Sequence, residues 1–134
     1  MLTNLARFTR ALVLDCETTG VPDFKAPADA PHQPRIVELG AALITSDFEE
    51  VGAIDMLVKP NDWEIPAEAT GVNGITQAML EEGGSPIEAV LDAFDALWAE
   101  ADLVVCFSAN FDLKMVRGER RRAGRPDGYG EKPI

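Results

Sequence analysis

Apolar and polar positions along the chain fall into two regimes, a strand-like one and then a helical one. Residues 11–14 are a short apolar run that leads into Asp15 and predicts a buried strand. Residues 20–34 hold Pro22, Pro27, Pro31 and Pro34, which resist regular structure and predict a loop. The apolar pattern resumes with Ile36, Val37, Leu39, Leu43 and Ile44, predicting a strand over residues 36–45. A turn at 46–50 and a hairpin partner over 51–58 follow, ended by Lys59-Pro60. Three strands thus precede the first convincing helix.

That helix opens on Ser85-Pro86-Ile87-Glu88, which has the form of a capping box with Ser85 as N-cap and Pro86 at the first helical position. Ile87, Val90, Leu91, Phe94, Leu97 and Trp98 then recur at helical spacing on one face. Residues 103–107 form an apolar strand, and Ser108 is placed to cap a last helix running to about Ala123, with Gly124 as its stop. No internal repeat or low-complexity segment interrupts this order. It predicts an α/β or α+β sheet covered by helices.

The 134 residues fit one domain, and 46% hydrophobic with 26% charged residues is a globular balance. No run of 18 apolar residues predicts a membrane span, and residues 1–10 lack the apolar core of a secretory signal. Two cysteines, Cys16 and Cys106, are too few for a disulfide framework and suit buried thiols in a reducing cytoplasm. The net charge of −11, taken alone, argues against a nucleic-acid partner. The charge is unevenly placed, however. Residues 114–134 hold seven bases and three acids, a net of +4, whereas residues 1–113 carry −15. Arg120-Arg121-Arg122 at the end of the last helix complements its dipole, and the alternative is a phosphate-contacting patch.

The chemistry concentrates in Asp15-Cys16-Glu17-Thr18-Thr19-Gly20. Asp15 and Glu17, two apart in extended chain, share one face of the sheet, while Cys16 points into the core. Neighbouring carboxylates repel, and a divalent cation both removes that penalty and finds the hard oxygen ligands that Mg²⁺ and Mn²⁺ prefer. A bare Asp-x-Glu is most often a solvated strand end. Five fixed letters are rarer: at about 5% usage each, a chance match in such a chain is on the order of one in ten thousand. Thr18-Thr19-Gly20 is a turn whose N–H groups and hydroxyls can meet a sugar or phosphate. Asp112, in Ser108-Ala109-Asn110-Phe111-Asp112, falls in the first turn of the last helix, where the helix N-terminus stabilises its charge. By itself it reads as a surface residue, and its role depends on Asp15 and Glu17.

These segments resemble the DEDD superfamily of DnaQ-like 3′→5′ exonucleases. Asp15 to Gly20 is similar to the first exonuclease motif, Ala109-Asn110-Phe111-Asp112 to the second, Ile36-Val37-Glu38-Leu39-Gly40 to the second strand, and Gly74-Ile75-Thr76 to the segment that lines the terminal-nucleotide site. The resemblance spans roughly residues 10–125 with the motifs in order. It implies a ribonuclease H-like mixed sheet flanked by helices and two-metal hydrolysis of phosphodiester bonds at the 3′ end of single-stranded DNA or RNA. Asp15, Glu17 and Asp112 would hold two Mg²⁺ or Mn²⁺ ions. Thr18, Thr19, Gly20, Ile75 and Thr76 would grip the last nucleotide. Phe111 either wedges near the final bases or packs beneath the strand. Two bound ions would bring four positive charges to an acidic surface, so the −11 ceases to exclude nucleic acid. The partners implied are 3′ ends, with a DNA polymerase or a second copy of the chain as protein neighbours.

The sequence also departs from the family pattern. Asn73 replaces the usual His before Gly-Ile-Thr, and Phe107-Ser108 stands where His-Asn or Tyr-Asn is common. The family's third motif supplies a fourth Asp with a His or Tyr shortly before it. Neither pattern occurs here: Tyr129 has no Asp in register, and His32, the single histidine, sits in the Pro-rich loop. The expectation is one exonuclease domain over 1–134, the N-terminal portion of the fold, truncated before this motif. The non-catalytic alternative is an exonuclease-fold fragment that binds metal, nucleic acid or a partner without cutting. A phosphatase of the Asp-x-Asp-x-Thr type would need an Asp where Glu17 stands.

Overall fold

A computed structural model describes residues 8–126. Strands β1 (Arg10–Thr18), β2 (Ile36–Thr45), β3 (Glu50–Leu57) and β4 (Leu103–Cys106) form one sheet in the order β3-β2-β1-β4. β1–β2 and β2–β3 are antiparallel, and β4 joins β1 in parallel. A parallel pair needs a crossover connection. Here the chain between β3 and β4 supplies it as three helices: α1 (Ala67–Asn73), α2 (Gln77–Gly83) and α3 (Ile87–Glu100). The last helix, α4 (Ala109–Arg122), follows β4.

β1 runs four residues past Leu14 because β2 continues to pair with it: Asp15 faces Gly40, Cys16 faces Leu39 and Glu17 faces Glu38. Alternate residues of β1 therefore meet different environments. Leu12, Leu14 and Cys16 enter a core with Leu39, Leu43, Leu91 and Phe94, while Val13, Asp15 and Glu17 lie on the other face. α3 covers the core face with Ile87, Val90, Leu91, Phe94 and Leu97, as its spacing predicts. Each such side chain contributes about 1.5–3 kcal/mol on burial.

The start of α3 differs from the capping-box expectation. Its N-cap is Pro86, with no side-chain cap bond, because Ser85 is engaged in an isolated parallel bridge to Val58. The Ser85 N–H donates to the Leu57 carbonyl and its own carbonyl accepts from Lys59 N–H, both at 2.8 Å. The two seven-residue helices α1 and α2 were not expected. They close a second, smaller core of Val37, Ile65, Ala69, Ile75 and Leu80. β4 stops at Cys106, so Phe107 is fully exposed rather than part of the strand. Ser108 is the N-cap of α4 but makes no side-chain cap bond, and Gly124 takes the left-handed conformation (φ 73°) just beyond its end.

The Pro-rich loop lacks regular structure but is pinned. Gln33, 6% exposed, accepts from Asp23 N–H and donates to the carbonyls of Asp23 and Pro27. The loop lies so close to α4 that a Cβ on Gly118 would stand 2.4 Å from the Ala28 carbonyl oxygen. Among the described residues no helix is long and apolar enough to cross a membrane. Tyr129 and the rest of the basic segment beyond Pro126 lie outside the described residues.

Candidate active site

Asp15 and Glu17 project from the open face of β1, Asp15 exposed and Glu17 half-buried. Asp112 arrives from the first turn of α4 and, against the surface reading, is only 1% exposed. Its Oδ1 accepts a hydrogen bond from Cys16 Sγ at 3.3 Å, so the core-facing residue between the two acids touches the third. Burial and the Asp15 charge push the Asp112 carboxyl above its ordinary value, opposed by its hydrogen bonds with Cys16 and Ser108. Burial, then Asp15 and Asp112, push Glu17 up as well. Every cause named for Glu17 raises it, and none is a basic side chain. The Cys16 thiol is pushed far up, and that of Cys106 up to about 12, chiefly by burial, so both free cysteines are unreactive thiols.

The donor set fits a hard divalent cation: three carboxylate-bearing residues linked by mutual repulsion and by one thiol hydrogen bond. It is not a closed cage. Among the described residues, no three acidic, thiol or imidazole groups converge as a formed metal site. Two further acids share the open face. Glu38 lies beside Asp55, and burial, the neighbouring Asp55 carboxyl and the charges of Glu17 and Asp15 raise its pKa to about 7.

Beside Glu17 lies a groove of about 420 Å³ lined by Thr18, Thr19, Gly20, Asn73 and Phe111, with Val21 and Val72 as exposed apolar walls. Its turn is internally braced. Thr18 Oγ1 donates to the Gly20 carbonyl at 2.6 Å, and Thr19 Oγ1 accepts from Arg35 N–H at 2.9 Å. Phe111 lines the groove and packs against the main core. Ile75 and Thr76 do not line it. Ile75 is buried in the second core, and Thr76 Oγ1 caps α2 by accepting from Met79 N–H. Asn73 takes the position instead. Its Nδ2 donates to the Thr18 carbonyl at 3.3 Å and its Oδ1 accepts from Ile75 N–H at 3.0 Å, fastening the α1–α2 turn to the first motif.

An exonuclease family model, of the RNase T type, matches residues 12–127. The chain belongs to this exonuclease family, within the DEDD superfamily. A DNA polymerase III subunit epsilon-like protein of Rhodobacter capsulatus is 33% identical over 115 residues, covering 85% of this chain and 15% of that relative. Among solved structures, E. coli Exonuclease I in complex with a dT13 oligonucleotide matches with a TM-score of 0.74 and 21% identity over 89% of this chain and 25% of that one. Exonuclease I in complex with the inhibitor BCBP gives 0.76 and 21% over 90% and 26%. At this identity the likeness carries the fold, the ribonuclease H-like mixed sheet with flanking helices. The exonuclease-family chain spans about a quarter or less of the length of these relatives.

Sequence reasoning missed Asn73, Val21 and Val72 as groove residues and Cys16 as the hydrogen-bond donor to Asp112. The signal for Asn73 was its place directly before Gly74-Ile75-Thr76. The basic run divides three ways. Arg120 pairs with Asp95 on α3, Arg122 lies 3.7 Å from Glu119, and Arg121 faces the Pro-rich loop at Asp29. Most of it latches α4 rather than forming a patch of three.

Proposed function

We propose that this chain is the nuclease core of a metal-dependent 3′→5′ exonuclease acting on single-stranded DNA or RNA. The observation that supports the reading is that Glu17 feels the charges of both Asp15 and Asp112, beside a nucleotide-sized groove, in a member of the exonuclease family. Asp15, Glu17 and Asp112 would hold Mg²⁺ or Mn²⁺, two ions per site. Bound there, such ions would supply a nucleophilic water and charge stabilisation for the leaving 3′ oxygen. The chain's own residues do the positioning. Val21, Val72 and Phe111 give the terminal base apolar surfaces, and Thr18, Thr19 and Gly20 set the backbone beneath its sugar. Ile75 and Thr76 act one step removed, holding the turn that carries Asn73.

A second reading, binding without turnover, is favoured by a specific observation. Among the described residues no formed three-ligand cage is present, and His32 pairs with Asp23 on the Pro-rich loop rather than facing the groove. A polymerase subunit as protein neighbour is suggested by the Rhodobacter relative's name, and two free thiols suit the reducing cytoplasm.

A 5′-labelled single strand separates the readings. Exonuclease action shortens it stepwise from the 3′ end with Mg²⁺ or Mn²⁺, and EDTA or Asp15→Asn abolishes the ladder. Binding with no ladder supports the second reading, and a ladder that survives Asp15→Asn contradicts the proposed site.

A further inference from the structure

We infer that the groove between α4 and the Pro-rich loop is a second nucleic-acid contact, a track that holds phosphates of the strand upstream of its 3′ end through Lys114, Arg117 and Arg121. This deepens the exonuclease reading and takes its strand direction from it. The groove encloses about 550 Å³ and runs between Phe24 and Ala28 on the loop and Asn110, Lys114, Arg117 and Arg121 on α4. Positions three, four and seven apart on a helix share one face, so the three bases form a single stripe about 10 Å long at 1.5 Å per residue. In a chain of net charge −11, no acidic residue among the described ones lines this groove.

The stripe is held in place from below. Lys114 Nζ donates to the Ala26 carbonyl at 2.7 Å, which fixes its ammonium group in the groove wall. Arg121 lies 3.7 Å from Asp29, with both side chains about two-fifths exposed. Such a surface pair is worth little and can be exchanged for a phosphate. The neighbouring arginines point elsewhere, Arg120 to Asp95 and Arg122 toward Glu119, so the groove-facing bases are a selected subset of the run.

Continuity with the active site gives the groove its occupant. Asn110 lines this groove, and the next residue, Phe111, lines the groove beside Glu17, with Asp112 one further on. A strand leaving the carboxylate site over the first turn of α4 runs onto the basic face. Phe24, 55% exposed at the rim, offers a stacking surface for a base. The acidic site repels an incoming polyanion until it is loaded with cations, and a basic track beside it supplies the compensating attraction.

The test is the salt dependence of binding to labelled single strands of about 12 nucleotides, DNA and RNA in parallel, in EDTA so that they remain intact. Each phosphate neutralised contributes about 0.7 to the slope of log K against log salt for single strands. Arg117→Gln/Arg121→Gln should lower that slope by about 1.4, and the single surface change Arg121→Gln by about 0.7. Arg121→Lys should restore the slope, because the contact is to phosphate charge. Equal losses on DNA and RNA are expected, and a loss confined to RNA would overturn the phosphate track in favour of a 2′-hydroxyl contact. Unchanged slopes with a wild type that still trims 3′ ends would overturn the track and leave the exonuclease reading standing. Lowered slopes in a protein that trims no 3′ ends would do the reverse.

Discussion

α4 carries two buried carboxylates seven residues apart, each 1% exposed, and they have opposite surroundings. Glu119 is saturated. It accepts from Arg35 Nε at 3.1 Å, from Arg35 Nη2 at 2.9 Å and from Ile36 N–H at 2.9 Å, tying the end of the Pro-rich loop and the start of β2 to the helix. Asp112 has the thiol of Cys16 and backbone groups of Ser108 and Cys16 as partners, and the charge acting on it is that of another acid, Asp15. A buried carboxylate is expensive unless it is neutralised or paired. Glu119 meets that cost with the protein's own cation. Asp112 meets it by binding protons more tightly, and in the proposed function by a metal. One helix thus holds a carboxylate that builds the fold and another that is kept available.

The largest effect should come from breaking the saturated end. Glu119→Gln leaves Arg35 half-buried without its main partner and should cost about 3 kcal/mol or more of unfolding free energy, read by denaturant titration. Asp112→Asn should change stability by less than about 1 kcal/mol in EDTA, because it removes a charge that the fold does not neutralise. If both variants lose stability equally, the contrast between the two ends of α4 fails.

A smaller effect should follow from Cys16. Cys16→Ala removes the donor that orients Asp112. The expected cost is about 1 kcal/mol in stability and a tenfold or greater loss of Mn²⁺ affinity, as for other groups that orient a ligand. Cys16→Ser keeps a donor and should recover most of the metal affinity. Calorimetric Mn²⁺ titration of the three proteins reads the difference, and equal affinities would show that the contact is packing alone.

Much of this was legible in the sequence. The antiparallel hairpin, α3 with its five buried side chains and the presence of strand β4 follow from apolar spacing, whereas the parallel pairing of β4 with β1 is a long-range feature. The first motif was legible because its acids interrupt an apolar strand. α1 and α2 were not. Each is seven residues long, and between them α1 and α2 bury only Ala69 and Leu80, too little to leave a period. Thr76 illustrates the ambiguity of a lone hydroxyl, since the same letter serves a helix cap or a ligand contact, and the cap claims it. The Ser85 cap was displaced by strand pairing with Val58, a long-range contact that no local pattern encodes. Glu119 was equally hidden, because its partner Arg35 lies far away in the sequence.

The open face offers the gentlest perturbation. Glu38, beside Asp55, has its pKa raised to about 7 in the fold, above the ordinary carboxylate value of an unfolded chain. Its protonated form is therefore favoured by folding. That stabilisation is complete at low pH, falls as pH rises from about 4.5 toward 7, and is absent above. Thermal melts in EDTA at about pH 5 and about pH 8 should show a smaller drop for Glu38→Gln than for the wild type. An identical drop would mean that the fold does not favour protonated Glu38.

The central claim is that Asp15, Glu17 and Asp112 form a cation site which the rest of the fold leaves unneutralised. Its most direct measurement is the Mn²⁺-induced shift in unfolding free energy of the wild type, Asp15→Asn and Asp112→Asn. At about 100 times its dissociation constant, Mn²⁺ should stabilise the wild type by about 2.7 kcal/mol. Both variants should be at least as stable as the wild type in EDTA and should lose most of the shift. A full Mn²⁺ shift retained by both variants would contradict the account.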